Sequence, residues 1–351
     1  MCIQYEDLAY SAALSFATVG ANNGHNGTSG VPFLNKPGVI EDFAYRSIHT
    51  GVAIGKTLTS SFYGSPHTTS FYLGCSTGGR QGLKSVQDFP EDFDGVVAGA
   101  LAADFNHLLS WSGHFYAITG NSSASRFVSP EKWVTLIHPD VIAQCDGIDG
   151  VEDGIIEDPN LYFCVMKRKR REDCITEEQA EMIREVYKPF FIQRKLAFPR
   201  PQPGGENIPI MYTGELFGYT SDWFRYVIYN DSSYDVTTLG EEDWALAEQR
   251  NPFNIATWNG NISSFRDRQG KLIAYHGQAD GIITSANSER YYEHVSSTMG
   301  LDPSQLNEFW RFFRISGMEH CSGGVGAWTD LGRSWRRGWK WRQCYGFGVE
   351  P

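Results

Sequence analysis

Residues 70–99 carry the feature that most restricts the fold. Ser70-Phe71-Tyr72-Leu73 is a short β-rich run that stops at Gly74, a glycine-rich turn follows, a helix-compatible segment continues through Gln87, and Gly95-Val96-Val97-Ala98-Gly99 is a second apolar run. Strand, turn, helix, strand is the repeating unit of a parallel sheet, whose strands need a crossover connection and are buried on both faces. The turn itself reads Gly74-Cys75-Ser76-Thr77-Gly78 and fits G-x-S-x-G. That pattern belongs on a sharp strand-to-helix turn. The flanking glycines avoid clashes, the central Ser76 is held in strained backbone geometry, and the helix N-terminus turns amide groups toward a developing oxyanion. The alternative for the same residues is a glycine-rich turn with an inert serine.

Two further stretches repeat the pattern. Lys271 to Gly277 reads as a strand followed by a helix over Ser285 to Met299, and Glu308 to Ile315 reads as a strand entering the loop Ser316-Gly317-Met318-Glu319-His320-Cys321. The predicted class is therefore α/β, with ligands at the carboxyl ends of parallel strands. Residues 105–265 are different: rich in Trp, Tyr, Phe, Pro and Asp and without the strand and helix alternation, they read as an inserted domain. The expected organisation is a catalytic core from 1–104 and 266–351 with an insert at 105–265. At 351 residues the chain can bury a full core without metal or disulfide support. Its longest apolar run is the eight residues Val96 to Ala103, far below the roughly 18 or more a bilayer span requires, and a net charge of -11 disfavours nucleic acid. Neither membrane nor nucleic acid is an expected partner.

A serine nucleophile needs a base, and the base needs a carboxylate that fixes its tautomer. On a turn of this type the partners follow in the order Ser, Asp, His. Asp280 lies just past the strand ending at Gly277 and His320 just past the strand ending at Ile315. Both are expected in strand-end loops on the catalytic edge. His276 competes for the role of base, but inside its strand a packed or hydrogen-bonded role is expected; His25, beside Asn22 and Asn23, is a candidate for the wall of the site. Cys75 immediately precedes the nucleophile and Cys321 immediately follows the base. If bonded, their Cα atoms would lie about 5.5–6 Å apart and bring Ser76 within reach of His320. The alternative is a catalytic thiol at Cys75.

Within the insert, Asp146, Asp149 and Asp153 are interleaved with glycines. The register is not that of an EF-hand, but the glycines allow a tight loop in which three carboxylates and the Val151 and Ile155 carbonyls converge on one hard cation, and such an oxygen set suits Ca2+. The alternative is a solvated acidic loop. Cys145, Cys164 and Cys174 in a polar stretch, with sequons at Asn26, Asn121, Asn230 and Asn261, favour an oxidising, extracellular setting. The basic run Lys167 to Arg171 is read as a solvated loop rather than a localisation signal or protease site.

Together these residues resemble the tannase and feruloyl esterase family of α/β-hydrolases. The resemblance rests on Gly74 to Gln81, on His276-Gly277 through Asp280, on Gly317 to Cys321 with Gly323-Gly324, on Phe16 to Gly20 with Asn22 to Gly27, and on the Asp146 loop. It implies a secreted serine esterase with a lid over the active site, the triad Ser76, Asp280 and His320, a disulfide joining Cys75 to Cys321, and a structural calcium held in the lid by Asp146, Asp149 and Asp153 side chains with the Val151 and Ile155 carbonyls. The implied substrate is a small or polysaccharide-linked phenolic ester of feruloyl or galloyl type; a terephthalate monoester fits the same reading. Members of the family usually carry a longer N-terminal stretch with a glycine-rich segment that helps form the oxyanion hole. This chain is accordingly expected to be truncated, its signal peptide lost with that stretch, with Thr77 N–H as its one assignable oxyanion donor. Cys2 and Cys344 are expected to have lost partners, and the region from Phe163 to Cys174 departs from the family pattern. The rival readings are an inactive, ligand-binding remnant and a serine peptidase of the same architecture.

Overall fold

The computed structural model describes residues 5–159 and 175–326. Among these residues six strands are formed: β1 (Phe71–Cys75), β2 (Gly95–Gly99), β3 (Phe190–Ile192), β4 (Lys195–Phe198), β5 (Lys271–Gly277) and β6 (Trp310–Ile315). Four of them make one sheet in the order β1-β2-β5-β6, and every neighbouring pair is parallel. The class is α/β, as the alternating pattern predicts. The helix Thr77–Asp88 joins β1 to β2 and the helix Ser285–Met299 joins β5 to β6, supplying the crossovers that parallel pairing demands.

Periodicity and burial explain why these strands form where they do. In β2 four of five residues are buried, the continuous burial expected of a central strand covered on both faces. The helix Thr77–Asp88 sends Leu83 and Val86 into a core with Val96, Ala98, Leu272, Ala274, Tyr291 and Trp310. Strand pairing aligns Cys75 with Gly99, Gly99 with Tyr275, and Gly277 with Ile315. The carboxyl ends of β1, β5 and β6 therefore open onto one edge of the sheet, where the loops carrying Ser76, Asp280 and His320 begin.

Among the described residues, those between β2 and β5 add no strand to this sheet. They form helices such as Phe105–Thr119, Glu177–Val186 and Glu241–Arg250, with β3 and β4 as a two-stranded antiparallel ribbon. These elements share a second core that includes Trp111, Phe115, Trp133, Phe198, Phe224 and Trp244. Rings meet within it at 4.3 Å for Trp133 and Tyr212 and at 4.9 Å for Phe190 and Trp244. The switch between the cores is short: Leu101 and Ala103 pack with the sheet and Phe105 with the aromatic core, and on return Ile255 packs with the aromatic core and Ile262 with the sheet. Among the described residues no helix is long and apolar enough to cross a membrane. The Lys167 to Arg171 run and Cys2, Cys164, Cys174 and Cys344 lie outside the described residues.

Candidate active site

Ser76 is the hinge between β1 and its following helix, with φ 63° and ψ −120°. A non-glycine residue in that region carries backbone strain and persists only where its surroundings over-determine it. Three hydrogen bonds do so: Ser76 N–H donates to Gly99 O at 3.0 Å, and Ser76 O accepts from Arg80 N–H at 3.1 Å and Ala102 N–H at 3.3 Å. Gly79 lets the new helix sit directly on β2, since a Cβ there would stand 2.2 Å from Gly99 O. As the first residue of the helix, Thr77 has an amide for which the helix offers no carbonyl partner.

Arg80 is fully buried, and its guanidinium donates to Ala44 O at 2.9 Å and Phe43 O at 3.0 Å while lying over the Phe43 and Phe105 rings. Burial lowers its pKa to about 9, which still leaves it charged at neutral pH. It ties the helix that follows Ser76 to the 43–44 backbone.

The loops carrying Asp280 and His320 are fastened by backbone. Gln278 N–H donates to Ile315 O and Ala279 N–H to Met318 O, both at 2.9 Å. Gly277 permits the approach, because a Cβ there would lie 2.2 Å from Met318 O. Asp280 is buried with Oδ1 accepting from Ile282 N–H at 2.8 Å and Ile283 N–H at 2.9 Å. Its Oδ2 accepts from His320 Nδ1 at 2.8 Å and His276 Nε2 at 3.0 Å. Burial alone would raise the Asp280 pKa, but the charge of His320 and the hydrogen bonds from His276 and His320 outweigh it and hold the carboxyl well below the ordinary carboxylate range. With Nδ1–H given to Asp280, His320 keeps Nε2 as its basic nitrogen.

The two histidines on Asp280 differ in access. His276 is fully buried in β5, with Ser288 Oγ 2.7 Å from its Nδ1, whereas His320 lines a cavity together with Ser76, Thr77 and His25. The strand position thus makes His276 a support for the acid. The His25 ring stands edge-on to Phe33 at 4.9 Å, and burial lowers its pKa. Cys75 and Cys321 are joined in a disulfide with Cα atoms 5.9 Å apart, which pins the residue before Ser76 to the residue after His320 and removes Cys75 as a thiol nucleophile.

The rest of the cavity wall is largely apolar and belongs to the aromatic core: Phe33, Phe43 and Ile283 from outside the helical region beside Phe105, Leu109 and Trp223 from within it. Sequence reasoning missed Phe33, Tyr219 and Asp222 on this wall; the aromatic enrichment of 105–265 pointed to the region but to no single residue. Farther off, Asp146 Oδ1 accepts from Gly154 N–H at 2.9 Å, Asp149 Oδ1 from Val151 N–H at 2.9 Å, and Asp153 Oδ1 from Ile155 N–H at 3.0 Å. Among the described residues no three His, Cys, Asp or Glu side chains are grouped to hold a metal. Neighbouring Cys145 is buried and disulfide-bonded.

Comparison with known proteins bears on this geometry. The pattern of the family described as tannase and feruloyl esterase matches residues 4–223 and 219–331. A probable feruloyl esterase B-2 of Neosartorya fischeri is 54% identical over 336 residues, which are 93% of this chain and 64% of that protein. The chain thus spans less than two thirds of that relative's length. The crystal structure of feruloyl esterase B from Aspergillus oryzae superposes with a TM-score of 0.88 at 46% identity, covering 93% of this chain and 69% of the other. Tannin acyl hydrolase from Aspergillus niger, at 21% identity and a TM-score of 0.71 over 86% of this chain and 63% of the other, shares the fold.

Proposed function

The chain belongs to the tannase and feruloyl esterase family, and from that premise we propose that it hydrolyses carboxylic esters of phenolic acids by a serine mechanism. The observation that carries the reading is that Ser76, on its strained turn, and His320, bonded through Nδ1 to Asp280, face one largely apolar cavity with a disulfide beside both. Ser76 Oγ attacks the ester carbonyl as His320 Nε2 takes its proton; the tetrahedral oxyanion is met by Thr77 N–H; collapse breaks the C–O bond and the alcohol leaves with the proton from His320. Water then repeats the sequence on the acyl-enzyme, and the acid is released. Asp280 stays ionised throughout and holds the imidazolium. An aromatic wall suits a feruloyl or galloyl acyl group.

Residues 105–265 act in this reading as the lid, supported by the separate aromatic core that supplies Phe105, Leu109 and Trp223 to the cavity. Secretion and glycosylation are proposed together, supported by the Cys75–Cys321 disulfide and by the exposure of Asn26, Asn121, Asn230 and Asn261. For the Asp146 loop the proposal is structural Ca2+. The oxygen chemistry fits and Gly150 and Gly154 turn at φ 93° and 83°, but the carboxylates accept from the loop's own amides, so binding must exchange those bonds for the ion. Unchanged melting in excess EGTA, with no calcium by elemental analysis, would count against it.

The test of function is turnover of methyl ferulate and methyl gallate by the folded chain, with kcat lowered by at least about 10⁴ in Ser76→Ala. No turnover by folded protein would contradict the reading, and turnover of peptide amides instead would favour a peptidase.

A further inference from the structure

We propose that Asp222 is the specificity-determining acceptor for a ring hydroxyl of the acyl group, so that the site selects esters of free phenolic acids over their ring-methylated counterparts. The inference deepens the esterase reading and rests on it.

Asp222 lies in the helix Gly218–Trp223 and lines the cavity that holds Ser76 and His320. One carboxylate oxygen is committed: Oδ2 accepts from Gly30 N–H at 2.6 Å. Gly30 is packed against it so closely that a Cβ there would come 2.7 Å from Asp222 Cβ. This contact crosses the cavity rim from the 25–33 segment to the helical region and fixes the carboxylate. No donor among the described residues reaches Oδ1. No lysine or arginine lines the cavity to neutralise the charge. The surroundings are aromatic: the ring of the adjacent Trp223 lies 6.5 Å from Phe33 and 5.1 Å from Phe105.

An ionised carboxylate can only accept hydrogen bonds, and in a largely apolar wall an unpaired one is costly. A ligand ring seated against Phe33 and Trp223 relieves that cost when it brings an O–H to Oδ1. Methylating the hydroxyl removes the donor and sets an ether oxygen against the charge. A site built to bond a hydroxyl rejects the analogue that lacks it far more strongly than an apolar pocket rejects an extra methyl group. The same charge disfavours acyl rings that carry their own carboxylate, such as terephthalate monoesters, by like-charge repulsion.

The experiment compares kcat/KM for methyl ferulate and methyl 3,4-dimethoxycinnamate in the wild type and in Asp222→Asn. The amide keeps an oxygen for Gly30 N–H and places an N–H donor where the acceptor stood. Wild type is expected to favour ferulate by on the order of 10- to 100-fold. Asp222→Asn is expected to lower that ratio at least about tenfold, by raising KM on ferulate and by improving kcat/KM on the dimethoxy ester, whose ether oxygen then meets a donor in place of a charge. An equal loss on both esters would assign Asp222 a structural role through Gly30 and overturn the proposal, as would a wild type without preference. Failure of the esterase reading is separate: neither ester turns over. Binding of ferulamide against 3,4-dimethoxycinnamamide by calorimetry then reads the same ratio without chemistry, and equal affinities would overturn the proposal.

Discussion

The edge of the parallel sheet and the helical region between β2 and β5 both line the cavity, with residues 25–43 completing it, and the two hold their parts by opposite means. At the sheet edge, the positions of Ser76, Asp280 and His320 follow from backbone: strand register, amides that join the 278–279 and 315–318 loops, glycines at 79 and 277 that admit carbonyls at contact distance, and one disulfide. In the helical region, the wall follows from side-chain packing among Trp111, Phe115, Trp133, Phe198 and Trp244 around an aromatic core. In the proposed reading the reacting groups are thus held by elements that cannot adjust, and the surface that would receive the acyl ring is held by elements that can repack. Chemistry tolerates displacements of only a fraction of an ångström, whereas recognition of an aromatic ring tolerates volume-conserving change.

The sharpest break between the regions is chemical. Asp280→Asn should lower kcat on methyl ferulate by about 10⁴, because an amide does not fix the His320 tautomer or stabilise the imidazolium. Ser112→Ala, on the helical wall where Ser112 Oγ donates to Leu108 O, should change kcat less than about tenfold. Steady-state kinetics on the pair checks the contrast. Next in size is the disulfide: replacing Cys75 and Cys321 together by serine frees a loop of sequence separation 246, and should cost about 2–5 kcal/mol by denaturant unfolding with a fall in kcat. Gly79→Ala should cost above about 3 kcal/mol, since its Cβ meets a backbone carbonyl that cannot move without β2. Gly240→Ala, at a helix N-cap with open space around it, should cost only about 0.5–1 kcal/mol, the difference between glycine and alanine as caps.

The two regions also separate by pH. Burial lowers the His114 pKa to about 4 against the weaker opposing charge of Glu185, and the ring packs on Phe190 at 4.7 Å. A histidine neutral when folded and protonated when unfolded binds fewer protons in the native state. Its region therefore loses stability as pH falls from about 6.5 toward 4, by up to about 3 kcal/mol. Asp280 has the same sign in a lower window: its depressed pKa stabilises at all pH above the unfolded carboxylate value of about 3.9, and that contribution is lost as pH falls below it. His107, on the same helix as His114, has a raised pKa through Asp104 and Glu248, which overcome its burial, and works against His114. The check is therefore a difference: the stability gap between wild type and His114→Phe should shift in the variant's favour between pH 7 and pH 4.5, with other titrations common to both.

Legibility followed the same division. The run Gly95–Gly99, the strand Lys271–Gly277 and the helix Ser285–Met299 were readable to the residue, because each is a local pattern bounded by glycine or a polar loop. The placement of Ser76, Asp280 and His320 just past strand ends was readable because strand-end position is itself local. Asp222 was not: it meets Gly30 across 192 residues, and no periodicity marks such a pair. The buried guanidinium of Arg80 was likewise unreadable, since its partners are main-chain carbonyls at 43 and 44, which any sequence supplies. In the Asp146 loop the carboxylate spacing was legible, but the bonds those carboxylates make to the loop's own amides depend on its three-dimensional path.

The central claim is that Ser76 forms the acyl-enzyme with His320 and Asp280 behind it. The most direct measurement is rapid-quench mass spectrometry of the folded chain mixed with p-nitrophenyl ferulate. The account predicts one feruloyl adduct on the peptide containing Ser76, absent in Ser76→Ala, and accumulating far more slowly in Asp280→Asn. Ester turnover with no adduct on that peptide, or with the adduct on another residue, would contradict it.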